Sequence, residues 1–311
     1  MKSTRTLLEH ILDYAGLFPP AKLEMRPTVQ TYAAARGGPD AWMLGRIVVP
    51  VARFEEFEQA SAGLLPIVGQ PGDDDAWPIT ALTATAGDPA FAADIAAIER
   101  FNERHAQPGA GSAFVDCIEV KAPTAQSIDA ALDLVPDEIY PYFEIGTESD
   151  PRGCIAALAS LDAGAKIRTG GITANAHPSP EAVAQFIVAC ARAEVPFKAT
   201  AGLHHPFRHH AADVQCAQHG FLNVLVGAGL VHLGMIDEAT LATLLADQDA
   251  ASFVVADDGI AWRGHRLTVG EIRAVRERFA HSFGSCSIDE PLADLRTLRY
   301  LAPAPTGAGR A

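Results

Sequence analysis

The feature that most constrains this chain is a unit that recurs along residues 44–200: a short β-rich segment, a turn, a helix-capping signal and an amphipathic helix. Strand starts recur about every 25 to 35 residues, the length of one parallel βα unit. Such a chain buries its apolar faces by forming a parallel sheet that helices cover. The predicted strands are residues 44–49, 79–83, 115–121, 140–145, 165–169 and 197–200.

The predicted helices begin at recognisable caps. Asp88, Asp150 and Ser179 each precede a proline, which is favoured at the first helical position because its missing N–H needs no partner there. Behind Ser179, apolar residues recur at helical spacing at positions 183, 186, 187 and 190. Each helix therefore has one face to lay on a sheet.

The spacing fits either a doubly wound sheet or a (β/α)8 barrel of the TIM type. No glycine-rich dinucleotide fingerprint follows the first predicted strand, and charged residues on four consecutive strands point to an interior site. We therefore predict an α/β fold with a TIM-type (β/α)8 barrel over residues 1–301, flanked by an N-terminal helix and C-terminal helices. Residues 302–311, rich in Pro, Gly and Ala, are predicted to be a disordered tail.

The closing units of the barrel are ambiguous. Residues 221–229 fit a strand or the start of a helix, and residues 252–256 and 259–263 flank a turn and predict a hairpin. The barrel is therefore expected to be irregular at its closing strands. Capping boxes pair Thr268 with Glu271 and Ser287 with Glu290, and each predicts a helix start.

Residues 4–13 predict a helix, and the following segment, residues 13–20, predicts a stiff apolar loop with two prolines. The favoured role of this loop is to plug one end of the barrel. Asp13 or Tyr14 contacting a ligand is the alternative.

Composition excludes several function classes. The formal net charge of −14 disfavours nucleic acid as a partner, and no apolar run is long enough to span a membrane. The five cysteines are widely spaced without a CxxC pair, so reduced thiols in a cytoplasmic protein are expected. A soluble homo-oligomer is the base-rate expectation.

Charged residues share one face of each central strand, by the two-residue period of β-structure. Since helices cover the outside of a barrel, these side chains are predicted to converge inside it, at the C-terminal ends of the strands. Buried ion pairs are the alternative reason for the pattern. The residues are Glu119, Lys121, Glu144, Lys166, Arg168 and Lys198, with Thr200 beside Lys198.

Four of these side chains are cationic and two are carboxylates, so the sequence predicts a locally positive pocket in an acidic protein. A small anionic metabolite, a carboxylate or phosphate, is the expected ligand, with Arg168 and Lys121 as its clamp. Gly170 and Gly171 would let backbone N–H groups approach the anion. Lys198, placed among cations, is predicted to have a lowered pKa and to act as a Schiff-base nucleophile or an electrostatic catalyst.

The segment from Lys198 to Gly202, Lys-Ala-Thr-Ala-Gly, resembles the Lys-x-Ser/Thr-x-Gly segment on the sixth strand of deoxyribose-phosphate aldolase, a class I aldolase. It also falls on the sixth predicted strand here. The resemblance covers these five residues and implies carbon–carbon lyase chemistry through a lysine.

The densest histidine cluster follows this segment and comprises His204, His205, His209 and His210. His204, nearest the strand end, is the acid/base candidate together with Glu144. The alternative is that the four histidines hold a divalent metal with an oxygen ligand. Asn223 is expected to face the pocket, and so is His219.

Three hypotheses follow from the sequence. The first is an aldolase-like lyase without a cofactor, the second a metal-dependent isomerase or hydrolase that uses residues 204–210, and the third a non-catalytic protein that binds an anionic metabolite. Fold analogy does not separate them, since this architecture supports many chemistries.

Overall fold

A computed structural model describes residues 1–72 and 75–303 of the chain. The strands within these residues are β1 (Leu12–Tyr14), β2 (Leu44–Pro50), β3 (Trp77–Leu82), β4 (Ala113–Lys121), β5 (Tyr140–Glu144), β6 (Gly164–Arg168), β7 (Phe197–Thr200), β8 (His209–Ala211), β9 (Cys216–Gln218), β10 (Phe253–Ala256), β11 (Gly259–Trp262), β12 (His265–Thr268) and β13 (Ala280–Ser285). The helices are α1 (Lys2–Leu8), α2 (Met25–Arg36), α3 (Phe54–Ser61), α4 (Ala90–His105), α5 (Ala125–Leu132), α6 (Arg152–Ala156), α7 (Pro180–Ala193), α8 (Phe221–His232), α9 (Glu238–Ala246), α10 (Val269–Arg278) and α11 (Asp289–Thr297).

Eight parallel strands close into a barrel in the order β1-β13-β7-β6-β5-β4-β3-β2. The predicted (β/α)8 barrel is therefore confirmed, and all six predicted strands lie in it. Ser179 caps α7 as predicted: it accepts a hydrogen bond from the backbone N–H of Ala182 at 3.2 Å, and Pro180 is the first helical residue. Asp88 accepts one from the backbone N–H of Ala90 at 2.8 Å, but α4 begins one residue later than predicted, with Pro89 at the N-cap position.

The two strands that close the barrel are not among those predicted. The helix expected over residues 4–13 ends at Leu8, and Leu12–Tyr14 forms β1, which pairs with β2 and with β13. β1 has three residues, all buried, too few to show an alternation. β13, Ala280–Ser285, places Ser282 and Gly284 on one face, so small and polar residues hide its strand character.

The stretch of 79 residues that the sequence left ambiguous separates β7 from β13, since β7 ends at Thr200 and β13 begins at Ala280. Residues 221–229 belong to a helix, α8, whose residues 221–230 are all buried, which explains why they show no polar face. The predicted hairpin is β10 and β11, to which β12 adds a third strand.

One capping box forms as predicted and the other does not. Thr268 and Glu271 bond reciprocally at the start of α10. Ser287 accepts the backbone N–H of Glu290 at 3.2 Å, but the Glu290 carboxylate contacts His204 instead of returning to Ser287. The expected disorder of residues 302–311 falls almost wholly on residues 304–311, which lie outside the described residues. Among the described helices, none has the length and apolar character needed to cross a membrane.

Candidate active site

A chain of ion pairs lies inside the barrel. Lys198 Nζ is 2.5 Å from Asp13 Oδ2 and 2.8 Å from Glu119 Oε1. Lys166 Nζ contacts Glu119 Oε2 and lies 2.8 Å from Glu144 Oε2. Carboxylate and ammonium groups thus alternate from Asp13 to Glu144, and Glu119 is the shared partner of both lysines.

The barrel strands set three of these groups at one level. Glu144 is in register with Lys166, and Lys166 with Lys198, on the adjacent strands β5, β6 and β7. Asp13 enters from β1, where Gly45 of the neighbouring strand β2 leaves room for it. A Cβ atom at Gly45 would lie 2.6 Å from Asp13 Oδ1, so no other residue fits there without a shift.

Burial and charge decide the protonation of this network. Burial alone would raise the pKa of Glu119, but the two lysine cations outweigh it and hold the pKa at about 2. Burial alone would lower the pKa of Lys198, but the charges of Asp13 and Glu119 outweigh it and raise that pKa above its ordinary value. At neutral pH, Lys198 is a cation and Glu119 an anion.

The prediction of a lowered Lys198 pKa is therefore wrong. The strand pattern predicts cations around Lys198, whereas its closest charged neighbours are Asp13 and Glu119. Lys198 also lies on the seventh barrel strand in chain order and not on the sixth, since β1 precedes the predicted strands.

A cavity of about 810 Å³ opens above this network at the C-terminal ends of the strands, the usual position of active sites in such barrels. Glu119 and Lys166 form part of its floor, and Phe18, Pro19 and Pro20 part of its wall. The loop predicted to plug the barrel therefore lines the cavity instead. Lys198 has no exposed surface and does not line it.

The expected excess of positive charge in the pocket is wrong. Lys166, Lys198 and Arg168 provide three positive charges inside the barrel and at its mouth, whereas Asp13, Glu119 and Glu144 of the network and Asp213 and Glu290 of the cavity lining provide five negative ones. Asp13 was not counted as an interior residue, because its strand was not recognised. Lys121 was counted, yet it is exposed and does not line the cavity.

Arg168 lines the cavity mouth and is exposed. In the described part of the chain it forms no ion pair, unlike Lys166 and Lys198. Gly171 and Gly202 line the same wall, and a Cβ atom at Gly170 would lie 2.9 Å from Gly202 Cα, so these two loops require glycine to approach each other. Arg168 and this glycine-rich edge are the part of the cavity best suited to an anion.

The remaining predicted substrate contacts divide in two. Thr200 is buried and lines the cavity. Asn223 lies on α8, where its side chain accepts from the backbone N–H of Arg208 and donates to the carbonyls of Leu244 and Asp247. These bonds occupy the side-chain amide of Asn223 and hold together parts of the segment between β7 and β13. Asn223 does not line the cavity, so the expectation that it faces the pocket is wrong.

The histidine cluster splits between two carboxylates. His204 Nδ1 is 2.9 Å from Glu290 Oε2, and His205 Nδ1 is 2.6 Å from Asp294 Oδ2. His204, His205 and His209 line the cavity, whereas His210 is exposed. Over residues 1–72 and 75–303, no three His, Cys, Asp or Glu side chains are placed to hold a metal ion together.

His219, expected to face the pocket, is instead fully buried against Pro178, whose carbonyl lies 2.8 Å from Nε2. Burial lowers the pKa of His219 to about 4, so the folded protein binds fewer protons here than the unfolded chain between about pH 4 and 6.5.

We expect this residue to remove up to about 3 kcal/mol of stability as the pH falls through that window. Urea unfolding of His219→Asn between pH 4 and 7.5 should show a shallower pH dependence than the wild type; equal slopes would contradict the assignment.

Cys286 and Glu290 belong to the site, although no sequence pattern assigns them to it. Asp13, for which a ligand contact was the alternative prediction, instead pairs with Lys198, and no spacing signal links these two residues, which are 185 positions apart. Cys286 directly follows β13, so recognition of that strand would have placed it at the cavity.

Comparison with protein-family models and with curated proteins finds no match to this chain.

Proposed function

We propose that this barrel is an enzyme that makes or breaks a carbon–carbon bond in a small anionic carbonyl compound, through a Schiff base on Lys166. The observation that carries the proposal is an amine on the floor of an 810 Å³ cavity, 2.8 Å from a carboxylate that can accept its proton. A class I aldolase also uses a lysine for this reaction. The lysine of the short resemblance at residues 198–202 is Lys198, so the resemblance supports the reaction class and not the choice of Lys166.

Lys166 takes the nucleophile role that the sequence analysis gave to Lys198. Lys198 has no exposed surface and does not line the cavity, whereas Lys166 does. Both ammonium groups lie between two carboxylates, so access to the cavity is what separates them, and an inaccessible amine does not attack a carbonyl carbon. Lys198 instead acts electrostatically: it holds Glu119 ionised, and Glu119 in turn orients the Lys166 ammonium.

The first step transfers a proton from Lys166 Nζ to a carboxylate. Glu119, with a pKa of about 2, is too weak a base, so the acceptor is Glu144, whose side chain is 20% exposed. The neutral amine then adds to the carbonyl carbon, and loss of water gives a protonated imine. The proton held by Glu144 leaves with that water, so its carboxylate is regenerated. As the carbon–carbon bond breaks, this carboxylate takes the proton of the hydroxyl on the leaving carbon, an aldehyde departs, and the electron pair of the bond moves to the imine nitrogen. Protonation and hydrolysis of the resulting enamine release the second product and the free amine.

Reductive trapping tests the proposal directly. Glyoxylate, an anionic aldehyde, is incubated with the purified protein and sodium borohydride, and the modified lysine is identified by peptide mass mapping. We expect adduct on Lys166 well above the level on the exposed Lys121. Label on exposed lysines alone would refute the Schiff base, and label on Lys198 would refute the assignment of Lys166.

Arg168 is expected to bind the anionic group of the ligand. A hydrogen bond between charged groups contributes about 1.5–3 kcal/mol, so Arg168→Gln should raise the glyoxylate concentration that half-saturates adduct formation by roughly 10- to 100-fold. Glycolaldehyde, which has no charge, serves as the control, and its half-saturating concentration should be unchanged. An equal effect on both aldehydes would show that Arg168 does not recognise the anion.

A further inference from the structure

A cysteine, a histidine and a glutamate meet on the wall of the cavity in a relay that the lysine chemistry does not use. Cys286 Sγ lies 3.9 Å from His204 Nε2, and His204 Nδ1 lies 2.9 Å from Glu290 Oε2. All three residues line the cavity, and both Cys286 and His204 are 8% exposed. The three groups come from the ends of two barrel strands and the first turn of α11.

The hydrogen bonds fix the direction of the relay. Since the Glu290 carboxylate is an acceptor, His204 Nδ1 carries the proton and donates to it. Nε2 then presents its lone pair toward the thiol of Cys286. A base held by a carboxylate and aimed at a nucleophile is the arrangement that activates thiols and hydroxyls in unrelated folds.

The position of Glu290 supports this interpretation independently. Ser287 and Glu290 have the spacing of a capping box, in which the glutamate would bond back to the serine backbone. Here the Ser287 backbone N–H donates to Ser285 Oγ at 3.2 Å, and the Glu290 side chain is free to contact His204. The glutamate therefore orients a histidine at the cavity and does not complete the cap.

We propose that Cys286, His204 and Glu290 form a second reactive centre in the cavity, in which Cys286 adds reversibly to a small aldehyde. The Sγ–H proton moves to His204 Nε2 as the Sγ–C bond forms, and the carbonyl electron pair moves to oxygen. That oxygen takes the proton back from Nε2, which leaves a neutral hemithioacetal and a neutral imidazole. Glu290 stabilises the imidazolium between the two transfers.

Burial raises the pKa of the Cys286 thiol, so the thiol is protonated at neutral pH and needs a base to react. His204 is the group within reach that can act as that base. The centre operates on the cavity wall and does not depend on whether Lys166 forms a Schiff base.

Alkylation of the purified full-length protein by iodoacetamide tests this centre, because the Sγ–C bond forms with loss of iodide and the thiol proton needs an acceptor. Rates are followed for each cysteine by peptide mass mapping. Cys154, partly exposed on α6 and away from the cavity, is the internal control. We expect Cys286 to react at least about tenfold faster than Cys154 at pH 7, despite its burial. A Cys286 rate at or below that of Cys154 would overturn the proposal.

Two variants separate base activation from simple access. His204→Gln keeps a donor to Glu290 but removes the base, and should slow Cys286 by at least about tenfold without changing Cys154. Glu290→Gln, at a half-exposed position, should slow Cys286 by about three- to tenfold. Labelling of the buried Cys117 and Cys190 reports whether a variant has unfolded. If His204→Gln unfolds, the Cys286 rate in the folded Glu290→Gln protein tests the relay. Unchanged Cys286 rates in the folded variants refute the relay, whatever the borohydride experiment shows.

Discussion

Lys198→Met is expected to lower the free energy of unfolding by about 3–5 kcal/mol, because it leaves the buried carboxylates of Asp13 and Glu119 without their shared cation. That loss is a large part of the total stability of a typical domain. Urea unfolding of the variant and the wild type at pH 7 measures it. Lys121→Met makes the same change at an exposed position, the last residue of β4. Its free energy of unfolding should stay within about 0.5 kcal/mol of the wild type.

The pH dependence of this loss gives a second readout. Without Lys198, burial raises the pKa of the Asp13 carboxylate above its value in the unfolded chain. The destabilisation is therefore greatest at high pH, where this carboxylate is charged, and decreases as the pH falls and the carboxylate gains a proton. The stability difference between Lys198→Met and the wild type should therefore be smaller at pH 5 than at pH 8. The double variant Asp13→Asn with Lys198→Met should recover part of the loss. A loss below about 1 kcal/mol for the single variant would contradict the buried ion-pair network.

Lys166→Met should abolish the borohydride-trapped glyoxylate adduct, because it removes the amine that lines the cavity floor and keeps a side chain of similar length. Lys121→Met should leave the yield unchanged. Glu144→Gln should slow adduct formation by about 10²-fold or more, since it removes the proton acceptor 2.8 Å from Nζ.

These variants also separate the two lysines. A Lys198→Met protein that remains folded keeps the Lys166 amine, so a residual adduct at residue 166 is expected there, at a reduced rate. Circular dichroism and the unfolding curve establish that each variant is folded before trapping. Persistent labelling of the folded Lys166→Met protein at the Lys121 level or higher would show that the cavity amine is not the reactive group.

The architecture and most of the inward-facing charges can be predicted from local sequence patterns. The recurrence of strands, caps and amphipathic helices between residues 44 and 200 defines parallel βα units, since periodicity reports which face of each element is buried. The same alternation identified Glu119, Glu144, Lys166 and Lys198 as interior residues, and the structure brings them together in one network. The local cap signals at Asp88 and Ser179 were sufficient because capping depends on residues only a few positions apart.

The pairing of those charges depends on how the strands come together in three dimensions. Strand alternation assigns a side chain to a face, but it does not say which strand is its neighbour, and β1 pairs with β13 across nearly the whole length of the chain. That closure brings Asp13 to Lys198. Lys198 was expected to have a lowered pKa among cations, and it is instead a cation whose pKa the neighbouring carboxylates raise. The pairing of β13 with β7 brings Cys286 and Glu290 to His204, from which they are 82 and 86 positions away in the chain. Protonation depends on distances through space, and these were fixed when the barrel closed.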